Sequence, residues 1–228
     1  MVTHNLKRAL EMTSNWLQTV SAAALLVGGL SGAAWANQAA NEGAQPVGDP
    51  KAGEAKANAI CIACHGPMGN SIVPIWPKLA GQHPQYIYKQ LMDFKAGRRQ
   101  NAQMSPMAAP LSEQEVRDMA AYYSKQSQAG GAADPALAEL GERIYRAGNP
   151  TSGVPACAGC HGPAGMGVGL AKFPRISGQH ADYAKQTLTW FRDGSRANDP
   201  NGMMRGVAAR LTNDEIAAVA QYVQGLSQ

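Results

Sequence analysis

The sequence predicts an all-α protein built from two small tandem domains, and three observations carry that prediction. The phrase CIACHGPMGN at Cys61–Asn70 returns as CAGCHGPAGM at Cys157–Met166, 96 residues later. The flanking stretches repeat in the same order: WPKLAGQHPQY from Trp76 matches FPRISGQHADY from Phe173, and LSEQEVRDMAAYY from Leu111 matches LTNDEIAAVAQYV from Leu211. Apolar residues recur at helical spacing, and no period-two strand pattern competes.

Each element can be justified in order. Asp49-Pro50 and Asp134-Pro135 are helix starts, with an aspartate N-cap and proline at the first helical position. Gly53 and Gly141 fall inside these helices, where glycine costs about 1 kcal/mol relative to alanine. That cost is tolerable if a second helix crosses closely, with Tyr122 or Tyr123 opposite Gly53 and Tyr222 opposite Gly141. Ser112 with Glu115, and Thr212 with Glu215, have capping-box spacing. Val116, Met119, Ala120 and Tyr123 follow one box on a helical face, as Ile216, Val219, Ala220 and Val223 follow the other. The expected boundaries are residues 49–126 and 134–228, joined by the linker SQAGGAA at 127–133.

The N-terminus reads as an export signal over residues 1–36. Lys7 and Arg8 precede an uncharged stretch from Trp16, and Ala34-Trp35-Ala36 offers a small-x-small cleavage site. Residues 37–48 then form a flexible leader. The competing expectation is a retained membrane anchor, since nothing charged lies between Glu11 and Glu42. Without the signal the net charge is +3, too weak and too evenly spread for nucleic-acid binding.

All four cysteines are spent on the repeated phrase. Structural zinc would want paired CxxC turns about 15 to 20 residues apart, and here the pairs lie in different repeats. A redox dithiol would sit beside a strand–helix unit. CxxCH is the signature of covalent haem attachment, and cysteines three apart on a helical turn face the same way. Cys61, Cys64, Cys157 and Cys160 are therefore expected to carry two covalently bound haem c groups. His65 and His161 become the proximal iron ligands, with the carbonyls of Pro77 and Pro174 as candidates to orient them. Only three phenylalanines occur in the chain, so tethered porphyrin also supplies apolar bulk to each small core.

For the sixth iron position the repeat selects Met104 and Met204, each eight residues ahead of a capping residue. Met107 and Met203 lack equivalent methionines and are expected to pack nearby. His83 and His180, equivalent residues of the two GQH segments, compete as ligands, against an expected solvent-facing role at a helix start. His/Met ligation closes the iron and raises its potential, which suits electron transfer rather than substrate chemistry.

These motifs, with PKLAGQ, PRISGQH, MSPMAAPLS and MMRGVAARLT, resemble the dihaem cytochromes c of the c4 type, tandem class I cytochrome c domains, over nearly all of the chain after residue 36. The resemblance implies thioethers at Cys61, Cys64, Cys157 and Cys160, and iron ligation by His65 with Met104 and His161 with Met204. It implies a periplasmic carrier without substrate chemistry of its own, taking electrons from a donor such as a quinol–cytochrome c reductase. A terminal oxidase is the implied acceptor, with peripheral membrane association and facing haem propionates. Four ionised propionates leave the exported protein near neutral, so local patches such as Arg98 and Arg99 are expected to matter for docking. The rival expectations are a dihaem thiosulfate dehydrogenase or peroxidase, and a fixed electron-transfer subunit of a larger complex.

Overall fold

A computed structural model describes residues 48–226. The expected signal, and the leader up to residue 47, lie outside the described residues. Among the described residues, ten α-helices follow one another in two matching sets. The first set is α1 (Pro50–Lys56), α2 (Ile62–His65), α3 (Pro84–Lys95), α4 (Met104–Ala108) and α5 (Glu113–Ser124). The second is α6 (Pro135–Ala147), α7 (Ala158–His161), α8 (Ala181–Asp193), α9 (Met203–Ala208) and α10 (Asn213–Gly225). Among the described residues, β pairing is confined to two isolated bridges, Asn149 with Val154 and Val168 with Phe173.

The helix starts behave as their residue types require. The Asp49 carboxylate accepts the Lys51 N–H at 2.8 Å and that of Asp134 accepts the Ala136 N–H at 2.9 Å. Ser112 Oγ accepts the Glu115 N–H at 3.2 Å while Glu115 Oε2 accepts the Ser112 N–H at 2.7 Å. Thr212 and Glu215 form the same reciprocal box. Each satisfies donors that a helix N-terminus otherwise leaves unpaired.

Each half packs its first long helix against its last. Val116, Met119 and Tyr123 of α5 are buried with Ala57 and Ile87, and Ile216, Val219 and Val223 of α10 are buried with Ile144 and Tyr145. Gly53 and Gly141 permit the crossings: a Cβ at Gly53 would lie 2.1 Å from the Asp118 carbonyl oxygen, and one at Gly141 2.2 Å from that of Ala218. Tyr222 opposes Gly141, with its Cβ 2.7 Å from the same point. Opposite Gly53, however, the nearest atoms belong to the backbone of Asp118 and Met119, about one turn before the expected Tyr122 or Tyr123.

The halves differ in how they deliver the CxxCH phrase. In the first, α1 runs through a π-helical turn at Ala57–Cys61 straight into α2. In the second, α6 stops at Gly148, at φ +72°, and a loop closed by the Asn149–Val154 bridge returns the chain to Cys157. Either path places four residues of α-helix ending in the histidine.

The two halves are tied by hydrogen bonds related by an approximate twofold. His83 Nε2 donates to the Met166 carbonyl and His180 Nε2 to the Ser71 carbonyl, both at 2.7 Å. The expected solvent-facing role for these histidines is therefore replaced by an interface role: each half-buried ring reaches the loop after the opposite CxxCH phrase. The segment at 127–133 is gripped as well. Lys78 Nζ donates to the carbonyls of Ala129, Gly130 and Gly178, and Asn70 pairs with the backbone of Ser127 and Ala129.

Candidate functional site: two haem clefts

His65 and His161 end their short helices and are 6% and 7% exposed. His65 Nδ1 donates to the Pro77 carbonyl at 2.8 Å and His161 Nδ1 to that of Pro174 at 2.9 Å. A carbonyl only accepts, so each ring carries its proton on Nδ1 and keeps the Nε2 lone pair free. Burial lowers the pKa of both imidazoles, opposed by the hydrogen bond to proline, and so favours the neutral ring that a metal needs.

No disulfide joins the four cysteines, of which Cys61 and Cys157 are half-buried and Cys64 and Cys160 exposed. Burial pushes the Cys61 thiol up, and that of Cys157 up to about 11. Cys61 and Cys157 stand at the N-caps of α2 and α7 and Cys64 and Cys160 within them, so the three-residue spacing keeps each pair beside its histidine.

A cavity of about 700 Å³ runs through both halves. Its wall includes every cysteine of the two phrases, His65, His161, Met104 and Met204. Met104 is the first residue of α4 and Met204 the second of α9, and both are half-buried. The Asn101 side chain accepts the Met104 N–H at 2.9 Å, fixing the turn that presents it. Met107 and Met203 also reach the wall, at 42% and 40% exposure, as rim residues. His83 and His180 do not line the cavity and are committed elsewhere.

The cavity suits a large, flat, apolar group with acidic arms. Its wall is mostly aliphatic and aromatic, including Ile87, Leu111 and Val219, yet two buried guanidinium groups, Arg99 and Arg196, also face it. Among the described residues neither forms an ion pair with a carboxylate. Arg99 donates to Gln90 and the Tyr183 hydroxyl, and Arg196 to Gln90, Asn198 and the Tyr86 hydroxyl. Buried cations without anionic partners are costly, and propionates would supply that charge. The indole N–H of Trp76, also on the wall, is buried without a partner. Thiols, free imidazole nitrogens, thioethers and basic anchors together fit two haem groups.

Arg99 is thus not the surface docking residue expected: it is 8% exposed and stacks over Phe94, leaving only Arg98 at the surface, paired with Asp93. The sequence reading also passed over Arg196, Gln90 and the two tyrosines, whose shared site arises only when α3 and α8 meet. The signal that could have found them is the repeat itself, since Arg99 and Arg196, like Tyr86 and Tyr183, are 97 residues apart.

Comparison with known proteins agrees with this geometry. The family model for cytochrome c matches twice, over residues 50–127 and 138–227. Cytochrome c4 of Thiocapsa roseopersicina is 72% identical over 186 residues, covering 81% of this chain and 96% of that protein. The crystal structure of reduced recombinant cytochrome c4 from Pseudomonas stutzeri superimposes with a TM-score of 0.77 at 49% identity, covering 79% of this chain and all of that one. A thiosulfate dehydrogenase electron acceptor of Thiomonas intermedia is 45% identical over 170 residues, covering 72% of this chain and 77% of that protein. The chain belongs to the cytochrome c family, as a dihaem electron-transfer protein of the cytochrome c4 type with two covalently bound haem c groups.

Proposed function

We propose that the protein is a periplasmic electron carrier of a respiratory chain, receiving electrons from a quinol-oxidising complex and passing them to a terminal oxidase. Thioethers form at Cys61 and Cys64 and at Cys157 and Cys160. His65 with Met104, and His161 with Met204, are the axial ligands. Export removes residues 1–36, and the domains span residues 49–126 and 134–228. The observation that carries this reading is the duplicated histidine–methionine pair on one cavity wall. Held by His65 with Met104 and His161 with Met204, a haem iron would be closed to substrate in both halves.

When bound, each haem supplies a one-electron couple. The chain's own residues determine what that couple does. The prolyl carbonyls hold the imidazoles in one tautomer, apolar helices exclude water, and Arg99 and Arg196 bring positive charge to the seam between the halves.

The name of the Thiomonas relative supports a second reading of the partner, a thiosulfate-oxidising dehydrogenase as donor. The role of this chain is the same in either case. A sulfur-to-iron charge-transfer band in the red region of the oxidised spectrum, from both haems, tests the ligation. Mixing the reduced protein with oxidase-containing membranes tests the acceptor. Steady oxidation of thiosulfate or turnover of peroxide by the isolated protein would replace the carrier assignment with an enzyme.

A further inference from the structure

Gln82 and Gln179 occupy equivalent places in the repeat, are 7% and 8% exposed, and each reaches into the opposite half. Gln179 Oε1 accepts the Lys78 N–H at 2.9 Å, and its Nε2 donates to the Lys78 carbonyl at 3.0 Å. Gln82 Oε1 accepts the Arg175 N–H at 2.9 Å, and its Nε2 donates to the Arg175 carbonyl at 2.8 Å.

The N–H of Lys78 shares one peptide group with the carbonyl of Pro77, and the N–H of Arg175 shares one with that of Pro174. Those carbonyls are the acceptors for His65 and His161. Resonance couples the two ends of a peptide group, so an acceptor at its N–H makes its oxygen a stronger acceptor. Each imidazole N–H therefore ends a chain of two hydrogen bonds whose far end belongs to the other half of the protein.

We propose that Gln179 and Gln82 are positioning residues that set, across the interface, the electron density of the proximal histidine in the opposite half. This rests on the reading of His65 and His161 as axial ligands. A stronger acceptor at Nδ1 makes an imidazole a more basic ligand, which favours the oxidised metal. Removing the glutamine oxygen reverses that and favours reduction. The effect crosses over: Gln179 acts on the first half and Gln82 on the second.

The test uses the holoprotein carrying Gln179→Met or Gln82→Met, with the potential of each haem followed separately by NMR during redox titration. Gln179→Met raises the reduction equilibrium constant of the first-half haem about threefold, about 30 mV at 59 mV per tenfold for one electron, and leaves the second unchanged. Gln82→Met does the reverse. In the reduced protein the His65 Nδ1 proton moves upfield in Gln179→Met alone, and that of His161 in Gln82→Met alone. Gln179→Asn and Gln82→Asn keep an amide in the seam but retract its oxygen, and give the same direction if a methionine variant does not assemble. Interface glue alone would shift both haems together or neither, and either result overturns the proposal, as does a shift confined to the half that carries the substitution. Failure of the ligand assignment is separable, because the ligand-sensitive spectrum of the unsubstituted protein would already lack histidine coordination.

Discussion

Gly141 on α6 lies against Ala218 on α10 so closely that a Cβ would sit 2.2 Å from the Ala218 carbonyl oxygen. Backbone cannot move aside as a flexible side chain can, so the helices must separate to admit a methyl group. Gly141→Ala is expected to lower stability by about 3 kcal/mol, the upper part of the range for overpacking, despite the better helix propensity of alanine. Gly206→Ala on α9, where nothing lies within 4 Å, is expected to be neutral or slightly stabilising. Thermal unfolding of the two variants checks the contrast.

His83 and His180 provide a test of ligation as well as of packing. Each donates across the interface, so His83→Ala or His180→Ala leaves a carbonyl without its partner and is expected to cost about 1–3 kcal/mol. The red-region sulfur-to-iron band is expected to persist in both variants. Its loss in either would show that the histidine, or a residue it supports, reaches the iron.

Lys78 places a buried ammonium among the carbonyls of Ala129, Gly130 and Gly178. Burial lowers its pKa, and no carboxylate among the described residues is bonded to it. Lys78→Met removes the donor and leaves these acceptors unpaired, at an expected cost of about 2 kcal/mol. Faster amide exchange and easier proteolysis confined to residues 127–133 are the expected signature.

Stability at low pH is expected to depend on Glu115. The Lys56 ammonium at 2.6 Å and the Ser112 cap hold its carboxyl down to about 2, against an ordinary 4.5. A depressed carboxylate stabilises the fold above its unfolded pKa and loses that contribution as pH falls through the folded value. The contribution is therefore complete above about pH 4.5 and declines toward pH 2. Glu115→Gln retains the cap geometry but removes the charge, so its unfolding curve is expected to be flatter with pH over that window.

Preventing haem attachment is expected to prevent folding. A cavity of about 700 Å³, at about 24 cal/mol per Å³, corresponds to at most about 17 kcal/mol, an upper bound because the cavity opens to solvent. Shared between the two halves this is about 8 kcal/mol each, comparable with the roughly 5–15 kcal/mol that stabilises a domain. Replacing all four cysteines by serine is expected to abolish covalent haem and give a chain without a cooperative unfolding transition, measured by calorimetry. Replacing only Cys61 and Cys64 is expected to leave one haem per chain by mass.

Much of this protein was legible because its decisive features are local in sequence. The CxxCH phrases, the Asp-Pro helix starts and the capping boxes each involve residues within a turn of one another, so spacing alone specifies their geometry. Pro77 and Pro174 could be placed as histidine partners because the repeat aligned them. Duplication also supplied an internal comparison, which separated Met104 and Met204 from the other methionines.

What the sequence could not express is the meeting of its two halves. Arg99 and His83 read as surface residues because each is polar and follows or opens a helix, yet the second half covers both. The π-helical turn at Ala57–Cys61 is equally silent, since its extra residue per turn leaves no compositional trace. The amino-acid order by itself determined two helical domains, their haem-attachment signatures and their candidate ligands. Tertiary structure alone decided the pairing of Gln82, Gln179, Tyr86 and Tyr183 with partners about a hundred residues away. The physical reason is that buried donors and acceptors must be matched in space, and which group completes each match depends on how the folded halves dock.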